Sequence, residues 1–248
     1  MRILLPPSEG KATGGYGPPV ELRELSFPGL TPVRRRVLSA LTALCKGPGQ
    51  TAMDVLELAP GLADAVAGNR LLRRAPTLTA AELYTGVLYD NLALATLDEE
   101  ARKRATERIW IFSGLWGVLG LDDRVPRYRL AMGVRLPPLG GLASVWRPAL
   151  NKVLRPEGLV VDMRSAPYAA AWKIPSAGVR VVQEKIVNGV PKRSVVSHMA
   201  KATRGAVART LVETGVDPET PAELAGVLRD LGYTAELTAT GIDIVIRE

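Results

Sequence analysis

Arg2-Ile3-Leu4-Leu5-Pro6-Pro7-Ser8-Glu9-Gly10-Lys11 opens the chain and decides how the rest is read. Arg2–Leu5 is a short apolar run stopped by two prolines, so it reads as a strand ending in a loop that holds Ser8, Glu9, Gly10 and Lys11. The pattern recurs. Ile109–Ser113 (IWIFS) has the bulky residues of a buried strand, after which Gly114 and Gly117 break the chain into a turn. Leu159–Met163 is another apolar strand, ending in Arg164, Ser165, Ala166 and Pro167.

Helical spacing fills the intervals. Thr31-Pro32 starts a helix in which Val33, Val37, Leu41 and Leu44 repeat on one face, leaving Arg34–Arg36 mostly outward. Further helices are expected over Ala63–Arg74 and Ala80–Leu97, and Asp98 caps one running to Arg108. Val179–Val187 and Val190–Ser197 flank Asn188-Gly189, whose residues tolerate the positive φ of a two-residue hairpin. A helix over Met199–Thr214 follows, then a second begun by the Thr220-Pro221-Glu223 capping box and closed by Gly232. Tyr233–Thr238 and Ile242–Arg247 are the last strands. The expected fold class is α/β (mixed α+β): a central mixed sheet surrounded by helices, in a single domain over residues 1–248.

Hydrophobic residues at 47% and charged residues at 23% fit a folded, soluble chain. The brief apolar start is too short for a signal-peptide core, and no run of about 18 apolar residues suggests a membrane span. One cysteine, Cys45, rules out an internal disulfide and suits a reducing cytosol, so a cytoplasmic location is expected. The net charge of +7 and pI near 9.7 point toward phosphates, although arginine-rich composition alone gives the same numbers.

Each motif has a plain reading beside the functional one. PPSEGK places Ser8 and Lys11 after a strand, where open α/β sheets hold ligands, yet it lacks the phosphate-loop spacing and also fits an ordinary turn. SGLWGVLG, Ser113–Gly120, reads as the hairpin of helix-hairpin-helix DNA binders or as a strand end with Trp116 in the core. Arg124, Arg127, Tyr128, Arg129 and Arg135 suit phosphates and stacking, or a solvated face. Arg164 and Ser165 face a ligand or form a salt-bridged strand terminus. In SHMAKATRGAVAR, Ser197–Arg209, the only histidine sits at a strand-to-helix junction, and Lys201 and Arg204 share one side of the helix. One histidine makes no metal site, no cofactor motif is present, and no known catalytic signature carries the chain.

ILLPPSEGK, ELYTGVLYD, FSGLWGVLGLDDRVPRYRLAMGVRL, LVVDMRSAPY and VVSHMAKATRGAVARTLVE, taken in order, resemble successive blocks of the YaaA family of bacterial peroxide-stress proteins, and the chain looks like an actinobacterial-type member. The resemblance implies a mixed α/β fold, a positively charged cleft, a helix-hairpin-helix-like element, affinity for DNA and a role in limiting iron-driven oxidative damage. Carried onto matching positions, Lys11 is the lysine of the first loop, Gly114 and Gly117 the hairpin glycines, and Tyr128 and Arg129 the Tyr-Arg pair. Arg164 and Ser165 fall in a less uniform block, and Lys201, Arg204 and Gly205 match the basic helix start. Trp116 stands where a tyrosine is usual, and His198 where some members carry an aromatic residue.

Two functions compete on these residues. In the leading one a monomer binds DNA, duplex or single-stranded, without sequence preference: Lys11, Arg127, Arg129, Lys201, Arg204 and Arg209 line one cleft. The Gly114–Val118 amides position the duplex, and an exposed Trp116 stacks on an unpaired base. In the other, Ser8, Lys11, Tyr128, Arg129, Arg164, Ser165, His198 and Lys201 converge on a pocket for a small phosphorylated or nucleobase-like substrate, with His198, Lys11 or Tyr128 in the catalytic role. A deep site with buried polar residues favours the enzyme, and a shallow trough with Trp116 exposed favours nucleic acid.

Overall fold

The computed structural model describes residues 1–187, 190–195, 197–239 and 241–247. Eight strands form its main sheet: β1 (Arg2–Leu5), β2 (Ile109–Ser113), β3 (Gly117–Leu119), β4 (Val160–Asp162), β5 (Ala177–Val187), β6 (Val190–Val195), β7 (Ala235–Thr238) and β8 (Gly241–Arg247). Their order is β7-β8-β5-β4-β1-β2-β3, with β6 paired to β5. β2, β1, β4, β5 and β8 run parallel, and the antiparallel pairs β2–β3, β5–β6 and β7–β8 complete the mixed sheet. A parallel strand covered on both faces has no polar side to present. Ile3, Leu4 and Leu5 and their neighbours Ile109, Ile111 and Phe112 are accordingly all fully buried.

The expected strands are present with ends shifted by one or two residues. The Asn188-Gly189 turn lies outside the described residues, although Val187 pairs with Val190 across it. Asp98 caps the Glu99–Arg108 helix by accepting from the Ala101 amide at 2.7 Å, and Thr220 caps Pro221–Asp230 through the Glu223 amide. The long helices Thr31–Lys46 and Ser197–Thr214 are also where periodicity puts them.

Three expectations change. The helix expected over Ala80–Leu97 is broken into Ala80–Leu83 and Val87–Leu92, because Tyr84, Thr85 and Gly86 leave the helix to meet the Lys11 loop. The Ala12 amide donates to Leu83 O at 2.9 Å and the Thr85 amide to Gly10 O at 3.3 Å, and Gly86 turns the chain at φ +96°. The helix beginning at Ala63 stops at Arg70, four residues short of the expected end.

Arg34, expected outward with Arg35 and Arg36, is fully buried. Its guanidinium donates to Trp116 O at 2.9 Å, Val118 O at 2.7 Å and Ser26 O at 2.8 Å, fastening the Thr31–Lys46 helix to the β2–β3 hairpin. Burial lowers its pKa to about 10, opposed by the charge of Asp123.

Candidate functional site

The carboxyl ends of β1 and β4 open onto one cavity of about 650 Å³. This is where a sheet of parallel strands leaves room for a ligand, since the chain departs from each strand in a different direction. β1 leads into the Pro6–Lys11 wall, β4 into Ser165, Pro167 and Tyr168, and the loop beyond β2 and β3 supplies Tyr128–Gly133. Val87–Tyr89 and the start of the Ser197–Thr214 helix, through Lys201 and Arg204, form further walls. Gly205 lets those two helices touch, because a side chain there would collide with Leu88 O.

Lys11 is the centre of this site. Its Nζ donates to Ser8 O at 2.7 Å and lies 4.5 Å from the centroid of the Tyr128 ring and 5.5 Å from that of Tyr84. Burial, aided by the positive charges of Arg129 and Arg127 and opposed by Glu9, lowers its pKa to about 7. Glu9 is itself engaged: its carboxylate accepts from Arg129 at 2.8 Å, so Arg129 enters the site already paired. Buried Asn69 grips the Arg129 backbone through both its amide and carbonyl, holding that arginine at the rim.

Behind Lys11 runs a buried hydroxyl chain. The Tyr84 and Tyr128 hydroxyls are 2.9 Å apart, and Tyr128 lies 2.7 Å from Ser113 Oγ. Burial raises the pKa of Tyr84, Tyr128 and Tyr89, so all three stay protonated at neutral pH. Tyr84 stacks on Tyr89, whose hydroxyl donates to Pro6 O at 2.8 Å. Together these rings fix the loop that carries Lys11.

Arg204 also lines the cavity, and its Nε is buried without a hydrogen-bond partner. Burial lowers the Arg204 pKa, against the opposing charge of Asp162. A buried guanidinium donor left unpaired costs free energy that an anionic ligand would recover. Lys201, on the same helix, is exposed at the cavity edge, and exposed Arg127 is near enough for its charge to act on Lys11.

Of the candidate residues, Ser8, Lys11, Tyr128, Arg129, Ser165, Lys201 and Arg204 line this cavity. Arg164 does not. It is held by both oxygens of Asp162, at 2.8 and 2.6 Å, donates to Trp172 O and lies 4.3 Å over the Phe112 ring, the salt-bridged strand terminus of the plain reading. Arg209 closes the end of the Val87–Leu92 helix by donating to Leu92 O and Ala93 O, and pairs with Glu213 at 2.6 Å. His198 falls within the Ser197–Thr214 helix, but its side chain lies outside the described residues.

The hairpin residues are corrected. Gly114–Gly117 join β2 to β3, so the element is a β-hairpin and not the hairpin between two helices. The whole turn is buried: the Leu115 and Trp116 amides donate to Ser113 Oγ, and Gly114 O accepts from Trp146 Nε1 at 2.9 Å. Trp116 is fully buried, edge-on to Tyr128, and offers no face to a base. Gly117 turns at φ +76° beneath the Trp146 ring, where a Cβ would lie 2.7 Å from a ring atom. The hairpin therefore serves the site from behind, through Ser113 and Tyr128.

Tyr84, Tyr89, Tyr168 and Asn69 were missed as site residues. ELYTGVLYD held the signal for the first two, since a glycine inside a supposed helix two residues after a tyrosine marks a break. Asn69 and Tyr168 carry no local mark. The single cysteine, Cys45, is buried in the core, and burial pushes its thiol pKa up, away from the reactive thiolate. Among the described residues no group of His, Cys, Asp or Glu is placed to hold a metal ion, and no helix is long and apolar enough to cross a membrane.

Fold and cavity together define a mixed α/β protein with a cavity lined by Lys11, Arg129, Lys201 and Arg204 at the ends of its parallel strands. The chain belongs to the peroxide stress protein YaaA family, whose model matches residues 1–238. It is 48% identical to a UPF0246 protein of the actinobacterium Streptomyces coelicolor, covering 100% of this chain and 99% of that one. A UPF0246 protein of Corynebacterium efficiens is 38% identical over 96% of this chain and 95% of its own, and one of Ruegeria pomeroyi is 32% identical over 69% and 70%. Membership supports a role in peroxide stress.

Proposed function

We propose that the protein serves peroxide stress as an enzyme acting on a small phosphorylated or nucleobase-like molecule held in the Lys11 cavity. The observation that carries this reading is the pairing of Lys11 with Arg204: an amine titrating near neutrality and an unpartnered guanidinium donor, both on the wall of one concave site. Arg204 and Lys201 hold the anion. Tyr89 and Tyr168 give the walls flat apolar surface, and the protonated tyrosines behind keep Lys11 in place. Lys11, about half unprotonated at pH 7, accepts a proton from the bound molecule.

Calorimetric titration with a panel of sugar phosphates and nucleoside monophosphates tests the reading. At least one should bind, and Arg204→Ala should weaken it by roughly tenfold to a hundredfold, the worth of a charge-assisted hydrogen bond. A panel with no binder, or equal binding by the variant, overturns it.

A second reading, non-specific DNA binding, is favoured by exposed Lys201 at the cavity edge, by exposed Arg127, whose charge reaches Lys11, and by the net charge of +7. A salt titration on a labelled duplex and a single strand, wild type against Arg127→Glu/Lys201→Glu, tests it. Binding that weakens with salt and with the double substitution supports it, and no binding at low salt sinks it.

A further inference from the structure

Lysines placed to carry charge have a carboxylate or open water beside them; Lys11 has neither an ion pair among the described residues nor an exposed position. Its Nζ is pinned by Ser8 O at 2.7 Å and by the faces of Tyr128 and Tyr84, which orient the nitrogen without neutralising it. The carboxylate nearest in sequence, Glu9, is taken by Arg129. An oriented amine in an apolar-walled cavity is suited to forming a bond to carbon as well as to moving a proton. The same lining is suited to phosphate, through Arg204 and Lys201. One ligand satisfies both Lys11 and this cationic pair if it carries an electrophilic carbon and a phosphate.

We propose that Lys11 forms an imine with the carbonyl carbon of a phosphorylated aldehyde or ketone of sugar size, whose phosphate is held by Arg204 and Lys201. The proposal rests on the cavity reading above and names its substrate class and covalent step. The Lys11 nitrogen lone pair attacks the carbonyl carbon to give a carbinolamine. The carbonyl oxygen then leaves as water, carrying the two protons that the neutral amine gives up, and a C=N bond replaces C=O. No oxidant or reductant is consumed. The amine is available for this: burial, Arg129 and Arg127 hold its pKa near 7 against Glu9, so about half is unprotonated at pH 7, compared with roughly one in 10³ for an ordinary lysine.

Reductive trapping tests the proposal on the full chain. The protein is incubated at pH 7 with 2-deoxyribose 5-phosphate and sodium cyanoborohydride, then digested and mapped by mass spectrometry. The expected result is one reduced sugar-phosphate adduct on Lys11, at least about tenfold above any other lysine because of the larger free-amine fraction. Unphosphorylated 2-deoxyribose should trap far less, and Lys11→Arg should abolish the adduct while still unfolding cooperatively in urea. A parallel arm offers the same sugar phosphate within a duplex bearing one abasic site. Trapping of the free molecule alone assigns a free sugar phosphate as the source, and trapping of the duplex alone assigns damaged DNA. Calorimetric binding with no Lys11 adduct in either arm overturns the imine and leaves the cavity reading standing. Adducts scattered over surface lysines overturn it too, and absence of binding as well as of adduct sinks both.

Discussion

Replacing Lys11 with methionine removes a charge from the cavity wall while keeping a straight apolar stem, and its effect on stability depends on pH in a way that reports the site directly. Folding lowers the Lys11 pKa from 10.5 to about 7. Between those values the unfolded chain binds more protons than the folded one, so the wild type gains stability as pH rises through the window. Below about pH 7 both states are protonated and the penalty is complete, about 5 kcal/mol as a ceiling; above 10.5 neither state holds the proton and the penalty is gone. From pH 7 to pH 9 the wild type should therefore gain about 2 kcal/mol that Lys11→Met does not. The substitution also loses the Ser8 carbonyl bond and the two ring contacts, but those contributions shift the difference between the proteins and leave its slope in place. Urea unfolding of both proteins at pH 7, 8 and 9, with matching m-values, measures that difference. Curves that stay parallel across the window would refute the assignment of a near-neutral pKa to Lys11, and with it the enzyme reading that depends on a free amine.

Other consequences follow from packing. Gly205→Ala drives a methyl group against Leu88 O and Asn91 Cβ, separating the Ser197–Thr214 helix from Val87–Leu92; a loss of about 1–3 kcal/mol is expected in urea unfolding. Trp116→Ala, which empties a fully buried site, should cost about 3–5 kcal/mol while leaving the nucleic-acid affinity of the folded fraction unchanged. Weaker DNA binding at unchanged stability would contradict its burial. Arg34→Met strands the carbonyls of Trp116, Val118 and Ser26, and a loss of about 3 kcal/mol or more should lower the melting temperature by roughly 6–12 °C.

Where local chemistry decides a structure, the sequence announces it. The Asp98 and Thr220 caps, the prolines closing β1 and the apolar run of Ile109–Ser113 each act within a few residues, and each element lies where those signals put it. Tyr84–Gly86 is different. Apolar spacing continues through it as though the helix ran on, and only pairing with Gly10–Ala12, more than seventy positions upstream, pulls it out. Arg34 sits in a run of three arginines with nothing local to single it out. Its partners lie 82 and 84 positions downstream, in the hairpin, and the choice among the three is made by which side chain the helix turns toward them. The candidate site was legible as a set of strand ends for the same reason: strands end at local signals, and in a parallel sheet their carboxyl ends meet. Which of the gathered side chains faces open space is set by long-range packing, so Trp116 and Arg164 were indistinguishable from Tyr128 and Arg204 in the sequence.

That distinction changes what the positive charge means. Arg34, Arg164 and Arg209 turn their donors onto carbonyls or carboxylates of the fold, and Arg129 is paired with Glu9. Of the expected basic residues, Lys11 and Arg204 line the cavity, Lys201 is exposed at its edge, and Arg127 is exposed with its charge reaching Lys11. Charge inside a concave, apolar-walled site acts on a small anion more strongly than the same charge spread over a face, and about 650 Å³ admits a nucleotide-sized molecule but no duplex. A duplex would touch the two exposed cations, Lys201 and Arg127, whereas a cleft using all six of the expected basic residues would neutralise six phosphates. The two arrangements differ in salt dependence: log K against log salt should fall with a slope near about −2 for contact with these two and about −5 for the full cleft. A measured slope near −5 would mean that Arg129 and Arg209 abandon Glu9 and Glu213 when DNA binds, and would return the nucleic-acid reading to first place.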